Sequence, residues 1–210
     1  IHRERVSGVL DTWWSEWPTH RTTQVLVGEE GVGKTWAVAA WIAQRLATQP
    51  LQPLPAVFVS ARTATSPYPA DLLADAVAHL LGTRDPDKWR RRIHRWAEHR
   101  PEGSPAVLFV LDGMDEVSDF TRWLKLLEQL GTEPCSLAVA TMITCRTLYW
   151  RQYLENLGHF RSVVNEVGPF SDAELDEALR RRGLQRSDFA APLVPHLRKP
   201  RYLDLAVRFR

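Results

Sequence analysis

Three groups of residues in this chain have the types and spacing needed to work on a phosphate chain. Residues 28–35 read GEEGVGKT, which places Gly28, Gly33, Lys34 and Thr35 in the spacing G-x-x-x-x-G-K-[ST], with Gly31 inside the loop. Such a loop recognises polyphosphate through main-chain N–H groups gathered at a helix N-terminus, and glycines let that backbone come close to the oxygens. Lys34 supplies a mobile cation for the β- and γ-phosphates and Thr35 a hydroxyl for Mg²⁺. Glu29, Glu30 and Val32 complete the cradle, and Trp36 follows it.

The second group ends the run VLFVLDGMDE at residues 107–116. An aspartate closing a buried strand, here Asp112, suits the holding of Mg²⁺ through water. Three acids in five positions exceed what a metal needs. Glu116, with Asp115 as alternative or helper, is therefore assigned to orient or deprotonate an attacking water; the competing reading is that the acids only cap the helix that follows. The third group is Arg146, just past the apolar run LAVATMIT, where it either reaches a γ-phosphate or is an ordinary surface arginine.

These residues need a sheet whose strands end together. Residues 22–27, 56–60, 106–111, 137–144 and the weaker 162–167 are short, apolar and rich in β-branched types, and stretches of helical periodicity separate them, at 34–48, 69–81, 87–99, 120–130 and 148–157. Pro50 lies past the end of the first such helix, and residues 51–55 form a proline-punctuated loop. Strands alternating with helices predict an α/β fold with a parallel sheet, in which ligands sit outside the carboxyl ends of the strands. From Ser171 only helices follow. Ser171 and Glu174 form a capping box for a helix running to about Arg182, a second begins near Ser187, and Pro200 opens a third through Phe209. The expected division is a Trp-rich helical lead-in at 1–21, a core at 22–168 and the start of a helical lid at 169–210. In the lead-in, DTWWSEWP reads as a short helix ended by Pro18, with Trp13, Trp14 and Trp17 covering the core rather than stacking on bases.

Composition narrows the function classes. Of the 210 residues, 44% are hydrophobic and 25% charged, as in globular domains, and the net charge of +2 is too mild to argue for nucleic acid as the partner, without excluding it. The arginines at 90–92, 95 and 180–182 read as solvated helix faces. His94 and His99 stand five apart, whereas helical zinc sites place two histidines four apart. Two cysteines, Cys135 and Cys145, make neither a disulfide scaffold nor a zinc site and point to a reducing, cytoplasmic setting. No apolar run reaches the length of about 20 residues that spans a bilayer, so no membrane is expected as partner. The first residue is Ile1, which reads as a piece of a longer chain.

GEEGVGKT, VLFVLDGMDE and MITCRT together resemble the STAND class of P-loop ATPases, and within it the NACHT-like group of immune and antiphage proteins. VGPFSDAEL and RKPRYLDLA match more loosely, and the resemblance spans residues 22 to about 208. The small residue after Asp112 is NACHT-like, and Arg146 resembles the sensor 1 arginine of that family. Pro200 resembles the lid proline that packs near adenine, with Arg198 and Lys199 standing where the family often has a glycine. The resemblance implies an AAA+/STAND-like three-layer sandwich with a parallel five-stranded sheet of order 5-1-4-3-2 and a C-terminal helical lid. It also implies ATP and ADP as ligands with Mg²⁺, slow hydrolysis, ADP-bound autoinhibition, homo-oligomerisation with ATP, and effector and sensor domains in the same full-length chain. An AAA+ motor or loader acting on nucleic acid is the alternative, and a scaffold with negligible hydrolysis a third.

Overall fold

A computed structural model describes residues 3–48, 55–83, 85–99, 105, 107–117, 120–133, 135–157 and 161–209. Its strands are β1 (Thr23–Val27), β2 (Ala56–Ser60), β3 (Val107–Asp112), β4 (Val139–Cys145) and β5 (Ser162–Glu166). Every neighbouring pair is parallel and the order is β2-β3-β4-β1-β5, the expected 5-1-4-3-2 read from the other edge. Ala106, Pro50 and residues 51–54 lie outside the described residues.

Because side chains alternate across a strand, the central strands bury both faces, each against different helices. Leu26, Leu108, Val110, Ala140 and Met142 face Leu10, Trp13 and Trp17 of α1 (Glu4–His20) and Val38 and Trp41 of α2 (Lys34–Thr48). Val25, Phe109, Leu111 and Ile143 face the other way. They meet Leu72 and Leu73 of α3 (Pro69–Leu80), Ile93 of α4 (Pro86–His99), and Trp123 and Leu127 of α5 (Thr121–Gly131). The lead-in tryptophans thus close one face of the sandwich. Trp14 stands edge-on to Trp41, the Trp41 indole donates to Asp11 at 2.9 Å, and Arg45 lies over both rings.

Three local expectations are corrected. Pro18 does not end α1, which continues to His20. The Arg21 N–H bonds the Trp17 carbonyl at 2.8 Å from a left-handed cap (φ +52°), and the Arg21 guanidinium covers the Trp17 ring, so the last turn survives the proline. Residues 148–157 are not one α-helix. A short α7 (Thr147–Tyr149) opens into a wider π turn at Trp150–Leu154 that puts Trp150 and Leu154 into the core while Tyr149 and Tyr153 pack ring to ring. The helix expected from Ser187 is instead broken into 3₁₀ turns at Arg186–Asp188 and Ala191–Leu193 and a four-residue α9 (Val194–Leu197), because Pro192 and Pro195 each remove a backbone donor.

After β5 the chain forms a smaller helical unit with its own core. Its α8 (Asp172–Arg180) starts on the expected capping box, Glu174 N–H to Ser171 Oγ at 3.2 Å and Ser171 N–H to Glu174 Oε2 at 2.7 Å. Phe170, Leu175, Leu179 and Leu197 pack with Leu203 of α10 (Pro200–Arg208). The short α6 (Cys135–Ala138) leads into β4.

Trp17 fills the space between α1 and the sheet at 2% exposure. Trp17→Ala is expected to lower the unfolding free energy by about 3–5 kcal/mol in denaturant titration; a loss under about 1 kcal/mol contradicts this packing.

Candidate functional site

Register decides which residues meet at the sheet edge. Val27 pairs with Cys145 and Leu111 with Ile143, so the loop after β1, the acids after β3 and the arginine after β4 leave the sheet side by side. The loop then runs into α2, with the backbone of Gly33 at φ +85°, a conformation glycine adopts without strain.

At the centre stands Asp112. Its Oδ1 accepts the Thr35 hydroxyl at 2.7 Å and the Thr144 hydroxyl at 2.6 Å, and Thr144 Oγ1 in turn accepts the Gly113 N–H at 3.0 Å. Thr144 is buried while Thr35 is exposed. A hydroxyl and a carboxylate converging from two elements form a hard-oxygen pair that fits Mg²⁺, an ion that takes one or two protein oxygens and fills its remaining positions with water and phosphate. The described residues hold no cluster of three or more His, Cys, Asp or Glu suited to a metal.

Lys34 turns back on its own loop and donates to the carbonyls of Gly28 and Glu29, both at 2.9 Å. Burial lowers its pKa and the nearby Arg146 charge adds to that, while the Asp115 and Asp112 carboxylates act against it. Beside it, burial and the Asp115 charge push the Cys145 thiol up to about 12. Cys145 is therefore a neutral wall rather than a nucleophile.

Arg146 and Asp115 are locked together: the Arg146 N–H reaches Asp115 Oδ1 at 2.9 Å and its Nε reaches Oδ2 at 2.9 Å, with the Asp115 side chain only 8% exposed. The same guanidinium extends to Glu30 of the loop at 3.0 Å. Glu116 takes a different direction. It folds over Gly113, where a Cβ would lie 2.9 Å from its carboxyl carbon, and pairs with Arg62 at 2.7 Å. Asp115 and Glu116 are thus not interchangeable in this arrangement.

The helical unit after β5 meets the same loop. Arg201 N–H donates to Gly31 O at 3.2 Å, Lys199 Nζ reaches Glu29 Oε2 at 2.5 Å, and the Arg201 guanidinium pairs with Glu30. Pro200 lies against Gly33, where a Cβ would come within 3.2 Å of its ring. Arg3 fastens the rear. It is 5% exposed and donates to the carbonyls of Val32 (2.7 Å), Gly168 (2.7 Å) and Pro169 (3.1 Å), joining the loop to the segment between core and lid.

The structure therefore brings together Gly28, Glu29, Glu30, Gly31, Val32, Gly33, Lys34, Thr35, Asp112, Asp115, Arg146 and Pro200. Trp36 stands apart from these contacts, 60% exposed on the first turn of α2. Arg3, Arg62, Thr144, Lys199 and Arg201 were not legible as site residues in the sequence. The signal for Lys199 and Arg201 was present, as cations flanking a proline already singled out.

The NACHT domain family matches residues 22–184, well over half of the chain. The chain belongs to the NACHT family. No curated protein sequence matches it. Among solved structures, the Orc1 protein of Aeropyrum pernix in complex with DNA aligns at a TM-score of 0.61 and 20% identity, over 99% of this chain and 55% of that one. DnaA of Aquifex aeolicus, bound to AMPPCP, aligns at 0.57 and 12% identity, over 96% and 58%. Cdc6p of Pyrobaculum aerophilum aligns at 0.56 and 17%, over 86% and 49%. This NACHT chain spans about half the length of these structures, and at such identities the likeness is one of fold alone.

Thr144 holds Asp112 from inside and Thr35 holds it from the solvent side. Thr144→Val is expected to cost about 1–3 kcal/mol of stability in denaturant titration, and Thr35→Val less than about 1 kcal/mol. Equal costs contradict the division between a structural and a ligand-facing hydroxyl.

Proposed function

We propose that this NACHT module binds and hydrolyses ATP and works as a conformational switch whose state is the position of the helical lid on the loop. The observation that carries this reading is that one loop takes part in both halves: Thr35 meets Asp112 at 2.7 Å, and four residues earlier Gly31 accepts the Arg201 N–H at the start of α10.

Lys34 and Arg146 grip phosphate, and Thr35 and Asp112 hold Mg²⁺. The loop N–H groups from Gly28 to Gly33 cradle the α- and β-phosphates, with Glu29 and Glu30 lining the approach and Pro200 covering the nucleotide from the lid. Bound Mg²⁺ supplies positive charge to the phosphate oxygens. Glu116 orients water and accepts its proton as the water oxygen bonds the γ-phosphorus and the bond to the bridging oxygen breaks, releasing ADP. Asp115 fixes Arg146, and only secondarily can it help with the water.

The way these groups are engaged supports slow turnover. Lys34 is held by loop carbonyls, Arg146 by Asp115 and Glu30, and Glu116 by Arg62. Each must exchange a protein partner for the substrate before reaction. ATP and ADP then shift the lid only as far as they differ in affinity for its two positions. In the full-length protein we assign the output to ATP-dependent self-association that engages an effector in the same chain, under control of a sensor, in cytoplasmic immune or antiphage signalling.

Nucleic-acid-dependent ATPase activity is the second reading. The solvent face of α4 exposes Lys88, Arg91, Arg92 and Arg95 beside a 41% exposed Trp96, and the Orc1 structure contains DNA. Stimulation of turnover by DNA or RNA with salt-dependent binding would put this reading first.

Lys34→Ala is expected to abolish ATP binding by calorimetry; unaltered binding removes the loop from the account. Glu116→Gln is expected to keep binding and lower turnover by about 10²–10⁴-fold, and normal hydrolysis by this variant transfers the water-activating role elsewhere.

A further inference from the structure

A loop that receives a polyphosphate carries two carboxylates, Glu29 and Glu30, at positions where the loop pattern accepts any residue. Each repels the ligand. Each is also matched from the lid, Glu29 by Lys199 at 2.5 Å and Glu30 by Arg201, while Arg146 shares Glu30 at 3.0 Å. The Lys199 hydrogen bond and charge hold the Glu29 carboxyl below its ordinary range. All these side chains have solvent access, and exposed ion pairs add little to fold stability. Holding the fold together is thus not their main effect.

Backbone and steric contacts place the same lid residues on the same loop. Arg201 donates its N–H to Gly31 O at 3.2 Å, and a Cβ on Gly31 would meet the Arg201 Cβ at 3.0 Å. The lid start therefore touches bare loop backbone while its two cations span the two acids. Lid and loop charges cancel in this arrangement, and they uncover together when the lid leaves.

We infer that Glu29 and Glu30 form a docking clasp for the lid, with Lys199 and Arg201 as its positioning residues, so that lid docking sets the nucleotide affinity of the loop. The inference rests on the nucleotide reading of the loop given above. With the lid docked the carboxylates are neutralised and the cradle is receptive. With the lid away two bare carboxylates face the phosphates and weaken binding by about three- to tenfold each at physiological salt. By linkage, the nucleotide favours the docked lid by the same factor. Glu30 also ties the lid to Arg146, so the arginine assigned to the γ-phosphate and the lid share one carboxylate.

The Glu29–Lys199 pair gives the cleaner test, because the described contacts of Glu29's carboxylate are to Lys199 alone. Two readouts are taken on wild type, Lys199→Glu and the swap of Glu29→Lys with Lys199→Glu: affinity for a fluorescent ATP analogue with Mg²⁺, and amide hydrogen exchange of α10 without nucleotide. Lys199→Glu is expected to weaken the analogue about tenfold and speed exchange in α10, and the swap to restore both to within about threefold. Unchanged exchange in Lys199→Glu overturns the clasp, and restored exchange without restored affinity overturns its coupling to nucleotide. If wild type binds no analogue, the nucleotide reading fails and the coupling with it, whereas the exchange result still decides whether the clasp exists.

Discussion

The common level at which β1, β3 and β4 end is the constraint on which the rest of the molecule depends. Parallel pairing fixes it: with Val27 opposite Cys145 and Leu111 opposite Ile143, the loop, Asp112 and Arg146 have no choice but to emerge together. A one-residue slip of any of these strands would reverse its inward and outward faces and carry Leu26, Leu108 or Met142 out of the α1–α2 core. The apolar packing of two sheet faces thus sets the geometry of an oxygen cluster that contains no apolar atom, and the tryptophans of α1 and α2 serve the site from a distance by holding that register.

Around the edge the charges form a closed set rather than a row of free groups. Asp115, Glu30 and Glu116 each occupy an arginine, and Lys34 occupies two carbonyls. The side chains at this edge are restrained, because Lys34, Arg146, Glu116 and Asp112 each have a protein partner. The helical unit after β5 reaches the same loop through Lys199, Pro200 and Arg201, and Arg3 anchors the connection behind it. A change at the loop is therefore felt at the lid through direct contact, without a long relay.

The fold and the residues that gather at the sheet edge were readable because local sequence carries them. Glycine spacing, a buried strand closed by an aspartate and alternation of strand and helix are short-range signals, and the sheet order came with the family they indicated. The partners of those residues were not readable. Arg62 and Glu116 are far apart in sequence, as are Arg3 and Val32 or Lys199 and Glu29, and nothing in an exposed arginine's neighbours tells which distant acid it will meet. Thr144 was hidden inside an apolar run, where a threonine reads as a β-branched strand former. Pro18 and the segment at 148–157 misled for a related reason: the Arg21 cap and the packing of Trp150 and Leu154 overrode local propensity.

We propose that the loop holds nucleotide beneath the lid and releases it slowly. Denaturing the purified protein, with no nucleotide added at any stage, and identifying what is released by chromatography tests this. Near-stoichiometric ADP is the predicted result, as a restrained site that retains its product requires. A protein that releases no nucleotide, and that binds none when ATP and Mg²⁺ are supplied, contradicts the account.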